Sequence, residues 1–127
     1  NLIDVIVSDH KPEDEESKRL TFAQAATGAS GIETLLSLSL ELYHNGSLKL
    51  ETLIKALTSN PAKILKIDKG NLSIGNDADL CMVDLHKPWI VKKDKLISKS
   101  KNTSIEDKKL QGKVTNTFVK GKELFKL

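Results

Sequence analysis

The feature that most constrains the fold is a short apolar run at the start of the chain. Leu2 to Val7 is apolar at five of its six positions, with no regular alternation of polar residues. Such a run is typical of a strand that is buried on both faces, as in parallel sheets covered by helices. It ends at Asp9 and His10, and a densely charged segment follows. We therefore expect a buried parallel strand, residues 1–7, that presents polar side chains at its carboxyl end.

Three helices are predicted after a polar loop over residues 8–21. Apolar residues at helical spacing run from Ile32 to Tyr43, and the Asn-Gly pair that follows is a typical helix end. Leu50 to Leu57 repeats the same spacing. Asn60 as N-cap, with Pro61 at the first helical position, predicts a short third helix.

The remainder of the chain, from Lys69 onward, has a different character. Glycine, asparagine and aspartate separate short apolar stretches, which is typical of strands joined by turns. Ala78 to Leu85 is predicted to be a buried strand. Residues 94–111 are polar and offer little to pack, so we expect a loop. Apolar residues on both sides of Lys120-Gly121 predict a hairpin near the end of the chain.

Composition excludes several classes of function. Cys81 is the only cysteine, which excludes an intrachain disulfide and favours a reducing compartment, so we expect a cytoplasmic protein with Cys81 buried in its strand. Arg19 is the single arginine among 20 basic residues, and aromatic residues make up only 4%. This balance argues against nucleic-acid binding, and no apolar run is long enough to span a bilayer. We expect neither partner.

The first residue of the chain carries a further expectation. The chain begins inside an apolar run and not with a methionine, and its only methionine is Met82. We therefore expect a C-terminal fragment of a longer protein.

Two roles for Asp9 stay open at this point. It could cap the loop or the following helix, or it could be a metal ligand or general base at the mouth of a barrel, where β/α barrels place their chemistry. Adjacent residues of a strand point to opposite faces, so we expect a structural hydrogen-bonding role for His10. His44 and His86 have no partner at metal-ligand spacing and are expected at the surface.

Several short motifs follow one another along the chain. They are Val7 to Pro12, Lys18 to Leu20, Phe22 to Ala26, Gly28 to Leu36, Thr58 to Ala62, Gly70 to Gly75, Ala78 to Leu80, Ser100 to Thr103, Gly112 to Val114 and Val119 to Gly121. This combination resembles the dihydroorotase family, which are zinc amidohydrolases of pyrimidine biosynthesis. The resemblance covers essentially the whole chain.

The resemblance implies an α/β fold, the terminal portion of a (β/α)₈ TIM barrel followed by the C-terminal strands of a small β-sandwich. Residues 1–7 would be the eighth barrel strand. Residues 1–68 would then be the C-terminal end of the amidohydrolase barrel. Residues 69–127 would be the C-terminal part of a composite β-sandwich domain.

The resemblance also implies the site residues. Asp9 matches the family's metal ligand and catalytic acid–base on the eighth strand, with one or two Zn²⁺ held mainly by residues outside this chain. Thr27-Gly28 matches the backbone pair that contacts the substrate. Many family members have histidine where this chain has Glu13, so Lys18 or Arg19 is a candidate for meeting the anionic substrate instead.

The implied function of the complete protein is the reversible cyclisation of N-carbamoyl-L-aspartate to dihydroorotate. Two alternatives stay open: a sister cyclic amidase such as allantoinase or dihydropyrimidinase, and a non-catalytic dihydroorotase-like scaffold for aspartate transcarbamoylase. Because one carboxylate cannot hold a catalytic zinc, we expect this fragment alone to be inactive. We also expect it to associate with the missing N-terminal portion of the protein or with a second copy, as part of a homo-oligomer.

Overall fold

The computed structural model describes residues 2–127, so Asn1 of the predicted first strand lies outside the described residues. Residues 2–7 form no strand in this structure, contrary to the sequence prediction. A strand needs a neighbouring strand for its hydrogen bonds, and no described strand lies beside this segment. Helical residues bind it instead: the Ile6 amide donates to the Ala56 carbonyl at 3.0 Å, and the Asn60 side chain donates to the Asp4 carbonyl at 2.8 Å.

Four α-helices occupy the first half of the described chain. Their bounds are Glu15–Lys18 (α1), Leu35–His44 (α2), Leu50–Leu57 (α3) and Ser59–Leu65 (α4). The predicted second helix is confirmed at both ends, and the predicted first helix is confirmed except that a turn from Gly31 precedes α2. α1 lies in the segment that was predicted to be a loop. It begins because the Asp14 carboxylate accepts from the Ser17 amide at 2.8 Å, which caps a first helical turn.

The start of α4 differs from the prediction. Its N-cap is Thr58, so Asn60 lies inside the helix and does not cap it. The Asn60 side chain is engaged with the N-terminal segment, as described above, and is therefore not used for capping. Pro61 still falls within the first turn, where its missing N–H costs no helical hydrogen bond.

The second half of the chain forms a three-stranded antiparallel sheet in the order β1-β2-β3. The strands are Leu80–Ile90, Lys109–Val119 and Lys122–Lys126, and a 3₁₀ turn at Lys93–Lys95 follows the first strand. The predicted hairpin is confirmed: Lys120 and Gly121 both have positive φ, at 49° and 76°, which is the requirement of a two-residue turn that matches strand twist. β1 and β2 pair from Leu80 opposite Phe118 to Ile90 opposite Lys109, with two register shifts.

The core lies where α2 packs against β2, and α3 packs on α2. The buried apolar residues are Leu40, Leu53, Ala56, Ala62, Val91, Leu96 and Leu110. At Gly112 the helix approaches the strand so closely that an added Cβ would lie 2.3 Å from Leu40 Cδ1. The Ser37 hydroxyl donates to the Gly112 carbonyl at 2.5 Å and accepts from the Trp89 indole at 3.1 Å, which satisfies the polar groups of this contact.

Two burial predictions for the second half are wrong. Cys81 and most of β1 are exposed, because among the described elements the helix α2 packs on β2 and no helix packs closely over β1. Residues 94–111 were expected to offer little to pack, yet Leu96 and Leu110 are buried there at 6% and 3% exposure. Leu110 lies on β2, the strand that packs against α2.

The longest helix of the part that the structure describes is α2, with ten residues. None of the described helices has the length and apolar character needed to cross a membrane.

Candidate active site

Asp9 lies on the wall of an open cavity of about 590 Å³, at the end of the N-terminal segment. Its backbone has φ of 44°, in the left-handed region that aspartate tolerates better than most residues. The residue is exposed, and within the described residues its carboxylate makes no hydrogen bond or ion pair. Asp9 therefore does not act as a cap in this structure, and its carboxylate is open to a ligand or substrate.

His10 has the structural role that the sequence predicted. Its Nδ1 accepts hydrogen bonds from the Gly31 amide at 3.1 Å and the Ile32 amide at 3.3 Å. A ring nitrogen that accepts two N–H groups is unprotonated, so a neutral His10 carries its proton on Nε2. These bonds hold the segment that contains Asp9 against the turn that leads into α2.

Gly28 lies in the same cavity wall as Asp9, on the loop before α2. Its φ is 128°, and an added Cβ would lie 2.5 Å from the Lys11 carbonyl oxygen. The Lys11 amide also donates to the Ala29 carbonyl at 3.1 Å, which joins the two segments directly. The position therefore requires glycine. Thr27, the other predicted substrate-binding residue, is exposed and lies outside the wall of this cavity.

The two cations that were candidates for an anionic substrate have protein partners in the structure. Lys18 Nζ donates to the Ala26 carbonyl at 2.5 Å and to the Gly28 carbonyl at 3.1 Å. Arg19 lies in ion pairs with Glu15 at 3.1 Å and Glu16 at 2.9 Å. Lys18 thus binds backbone carbonyls of the loop that contains Gly28. The charge of Arg19 is neutralised by two glutamates of α1.

Two carboxyl groups just before α1 have partners within their own segment. The Ser17 backbone amide holds the pKa of the Asp14 carboxyl below its usual range. The Glu13 carboxylate, at the position where many dihydroorotases have histidine, lies 3.6 Å from Lys11 Nζ. Glu13 is therefore paired with a neighbouring cation. As a carboxylate, it cannot replace a histidine in binding an anionic substrate.

The segment Thr103 to Ile105 also lines this cavity, although it is far from Asp9 in the sequence. Just before it, the Asn102 side chain donates to the Gly28 carbonyl at 3.0 Å, and the Ser30 amide donates to the Asn102 carbonyl at 2.7 Å. Sequence reasoning assigned no role to these residues. The only signal was the Ser-Lys-Asn-Thr motif, which belonged to the family resemblance.

The described residues do not hold a catalytic zinc by themselves. No group of three or more His, Cys, Asp or Glu side chains in residues 2–127 is arranged to bind a metal ion. A catalytic zinc takes three protein ligands, and Asp9 offers one. The predicted zinc therefore needs ligands beyond those that residues 2–127 offer.

The remaining histidines lie elsewhere. The His44 ring is 5.5 Å from the His86 ring and 5.2 Å from the Tyr43 ring, between centroids. His44 is half-buried: its Nε2 is shielded from solvent without a hydrogen-bond partner in the described residues, yet the residue lines an open cavity beside Trp89. The predicted surface position is therefore confirmed only in part for His44, whereas His86 is exposed as predicted.

Comparison with known proteins places the chain in a class. The Amidohydrolase family matches residues 1–124. The chain belongs to the amidohydrolase family.

Among curated proteins, the chain is 44% identical over 125 residues to the dihydroorotase of Ehrlichia chaffeensis. It is 43% identical over 124 residues to the dihydroorotase of Geobacter metallireducens. Each match covers 98% of this chain, and 28% and 29% of the respective relatives. The chain therefore spans less than a third of the length of the curated relatives that it matches.

Solved structures agree with this class. L-hydantoinase (dihydropyrimidinase) from Arthrobacter aurescens matches with a TM-score of 0.92 at 32% identity, over 98% of this chain and 29% of that one. D-hydantoinase (dihydropyrimidinase) from Thermus sp. matches with a TM-score of 0.84 at 26% identity, over 98% and 28%. The described α/β arrangement with its antiparallel sheet is thus found within larger hydantoinase structures.

Proposed function

We propose that the complete protein is a dihydroorotase, which interconverts N-carbamoyl-L-aspartate and dihydroorotate in pyrimidine biosynthesis. The observation that carries this proposal is the 44% identity to a dihydroorotase over 98% of the chain. In the complete protein, residues 1–7 would be the eighth barrel strand. Residues 1–68 would end the barrel, and residues 69–127 would belong to the β-sandwich.

Asp9 is the proposed catalytic group of this chain. When dihydroorotate is opened, water attacks the ring amide carbonyl, and the bond from carbon to the ring nitrogen breaks. We propose that the Asp9 carboxylate takes the proton of the attacking water and then returns it to the departing nitrogen. An exposed carboxylate without a competing partner among the described residues is free to make both transfers.

A zinc ion, when bound, lowers the pKa of its water to about 7 and polarises a carbonyl. Asp9 would supply one of its ligands, and the others would come from residues that this chain does not include. Gly28 and its neighbour Thr27 are the proposed substrate-binding residues. The backbone of Gly28 lines the Asp9 cavity, which supports its part of this assignment.

The decisive experiment is Asp9→Asn in the complete protein, assayed with dihydroorotate and N-carbamoyl-L-aspartate. We expect kcat to fall by about 10²- to 10⁴-fold, because asparagine cannot accept the proton. Bound zinc, measured by elemental analysis, should fall as well because a ligand is weakened.

Asp84→Asn is the matched control. Asp84 Oδ1 accepts from the His86 amide at 3.0 Å and the Lys87 amide at 3.1 Å, and an asparagine oxygen can keep both bonds. Its activity should equal that of the wild type. Activity of Asp9→Asn within tenfold of the control would show that Asp9 is not the acid–base group.

One structural match favours a second candidate, a hydantoinase or dihydropyrimidinase, because the Arthrobacter aurescens enzyme has a TM-score of 0.92. Turnover of a 5-substituted hydantoin or of dihydrouracil, and not of dihydroorotate, would select this candidate. A non-catalytic scaffold would turn over none of the three. The comparisons do not point to aspartate transcarbamoylase as a partner, and we do not propose it.

We further propose that residues 1–127 alone are inactive, because one carboxylate cannot hold a catalytic zinc. Exposed apolar side chains at Leu2, Ile3 and Val7 favour association with the rest of the protein or with a second copy. Light scattering that shows a clean monomer of this chain would contradict the association. A homo-oligomeric, cytoplasmic enzyme stays a prediction.

A further inference from the structure

We infer that residues 97–103 position the loop that contacts the substrate at Gly28, and that Asn102 is the positioning residue. The contact joins two parts of the chain that lie 74 residues apart, and it lies at the rim of the Asp9 cavity. The inference rests on the proposed function, because it assigns Asn102 to the substrate site of a cyclic amidohydrolase.

Asn102 contacts the loop with both its side chain and its backbone. Its Nδ2 donates to the Gly28 carbonyl at 3.0 Å, and its own carbonyl accepts from the Ser30 amide at 2.7 Å. Two hydrogen bonds to residues on either side of Ala29 fix both the position and the orientation of that stretch. A single bond would leave the loop free to rotate about it.

The segment that carries Asn102 is itself anchored to the start of α2. Both carboxylate oxygens of Glu33 accept backbone amides, Ile97 and Ser98, each at 2.9 Å. The buried Ser30 hydroxyl donates to the Ser100 carbonyl at 2.9 Å. Because Ser30 and Glu33 both lie between Gly28 and the start of α2, these hydrogen bonds fasten residues 97–102 to the same stretch that Asn102 contacts.

The carbonyl of Gly28 accepts two donors, Asn102 Nδ2 and the Lys18 ammonium at 3.1 Å. The N–H of the same planar peptide belongs to Ala29 and points away from that carbonyl oxygen. Hydrogen bonds to a carbonyl polarise its peptide and strengthen the N–H as a donor. The amides of Gly28 and Ala29 have no acceptor in the described residues, and both residues line the cavity together with Asp9.

These contacts define the ligand chemistry of the loop. The N–H groups of Gly28 and Ala29 are consecutive, and that of Ala29 belongs to the peptide whose carbonyl binds the Lys18 ammonium. Such donors suit a carboxylate or a polarised carbonyl oxygen of the substrate. Asn102 and Lys18 therefore act on the substrate through the backbone and do not touch it themselves.

The test is Asn102→Asp in the complete, zinc-loaded protein. Aspartate keeps the shape and the backbone bond of Asn102, but it cannot donate to the Gly28 carbonyl. We expect KM for dihydroorotate to rise about tenfold while kcat changes about twofold or less. Lys18→Met, which removes the other donor, should raise KM in the same direction.

Asn45→Asp is the matched control, because within the described residues the exposed Asn45 side chain uses only its oxygen, which accepts from the Ser47 amide at 3.0 Å. An aspartate oxygen keeps this bond, so KM should match the wild type. Hydrogen–deuterium exchange of the peptide covering residues 26–31 gives a readout that does not depend on turnover. We expect faster exchange there in Asn102→Asp and no change in the control.

The outcomes separate the inference from the proposed function. Faster exchange at residues 26–31 with a raised KM supports both. Faster exchange in a protein whose wild type opens no dihydroorotate supports the positioning contact and overturns the proposed reaction. Unchanged exchange and KM in Asn102→Asp overturn the inference. A variant that loses both kcat and thermal stability, but shows no faster exchange at residues 26–31, overturns it as well.

Discussion

The contact between α2 and β2 and the loop at Gly28 are both close approaches of two chain segments, but different forces hold them. In the first, Leu40 is fully buried above Gly112, and burial of apolar surface supplies the stability. In the second, Gly28 is held under Lys11 by hydrogen bonds from Lys18 and Asn102, in a loop that is half-buried.

The difference separates stability from function. Apolar burial has no direction, so it fixes the distance between layers but not the orientation of a peptide group. A single hydrogen bond contributes little net stability, but it fixes orientation closely. We therefore expect substitutions in the core to change the free energy of unfolding, and substitutions at the loop to change substrate affinity.

The largest stability effect should follow from Leu40→Ala in the complete protein. The side chain is 0% exposed, and its removal leaves a cavity above Gly112 that the surrounding strand cannot fill. We expect the free energy of unfolding to fall by about 2–5 kcal/mol, measured by urea titration. KM of the folded fraction should stay at the wild-type value.

Leu40→Met is the control for this substitution, because it conserves volume and should cost less than about 1.5 kcal/mol. A loss below about 1 kcal/mol in Leu40→Ala would show that the α2–β2 contact does not dominate stability. A changed KM in that variant would break the proposed separation of the two regions.

Gly28→Ala should change substrate affinity in addition to stability. Gly28 and Gly75 both have positive φ, at 128° and 97°, but an added Cβ at Gly28 would lie 2.5 Å from the Lys11 carbonyl, and at Gly75 it would meet nothing within 4 Å. We expect both variants to lose about 1–3 kcal/mol of stability from backbone strain. Only Gly28→Ala should also weaken dihydroorotate affinity, by about tenfold or more, measured as KM.

Gly75→Ala is therefore the control for the strained backbone conformation. The difference between the two variants measures the effect of the close approach to Lys11. Equal KM values in the two variants would mean that the loop at Gly28 does not contact the substrate. That result would leave Asp9 as the one proposed site residue in this cavity.

The same comparison explains which elements the sequence predicts. α2, α3 and the hairpin follow from local periodicity and turn residues, and these were confirmed. A strand at residues 2–7 cannot be predicted from its own residues alone, because it exists only when a neighbouring strand binds it. Exposure of Cys81 likewise depends on what covers an edge strand, which local sequence does not specify.

The candidate site shows the same limit. Motif resemblance led to Asp9 and Gly28, which line one cavity, and local geometry led to the role of His10. Asn102 was missed because its partner is 74 residues away, and no periodicity records such a contact. Its one trace in the sequence was a short motif without an assigned role.

The smallest effect is expected from exposed charges, which belong to neither region. The Lys69 ammonium donates to Asp79 at 2.5 Å and to Asp77 at 3.2 Å. The hydrogen bond between Lys69 and Asp79 lowers the pKa of the Asp79 carboxyl and raises the pKa of the Lys69 ammonium. A lowered carboxyl pKa contributes stability above the ordinary aspartate range, and this contribution is lost as pH falls through the pKa of the folded state.

Lys69→Gln should therefore lower Tm slightly at pH 7, and the difference from the wild type should shrink as pH falls below about 3.9, the ordinary aspartate pKa. The raised pKa of Lys69 has its effect at alkaline pH. The Tm difference between Lys69→Gln and the wild type should therefore also shrink as pH rises through the folded-state pKa of Lys69. Salt should weaken the effect at pH 7 because the pairs are exposed. A Tm difference that is constant from pH 3 to pH 7 would show that the ion pairs do not stabilise the start of β1, and that the core and the loop account for the measurable effects.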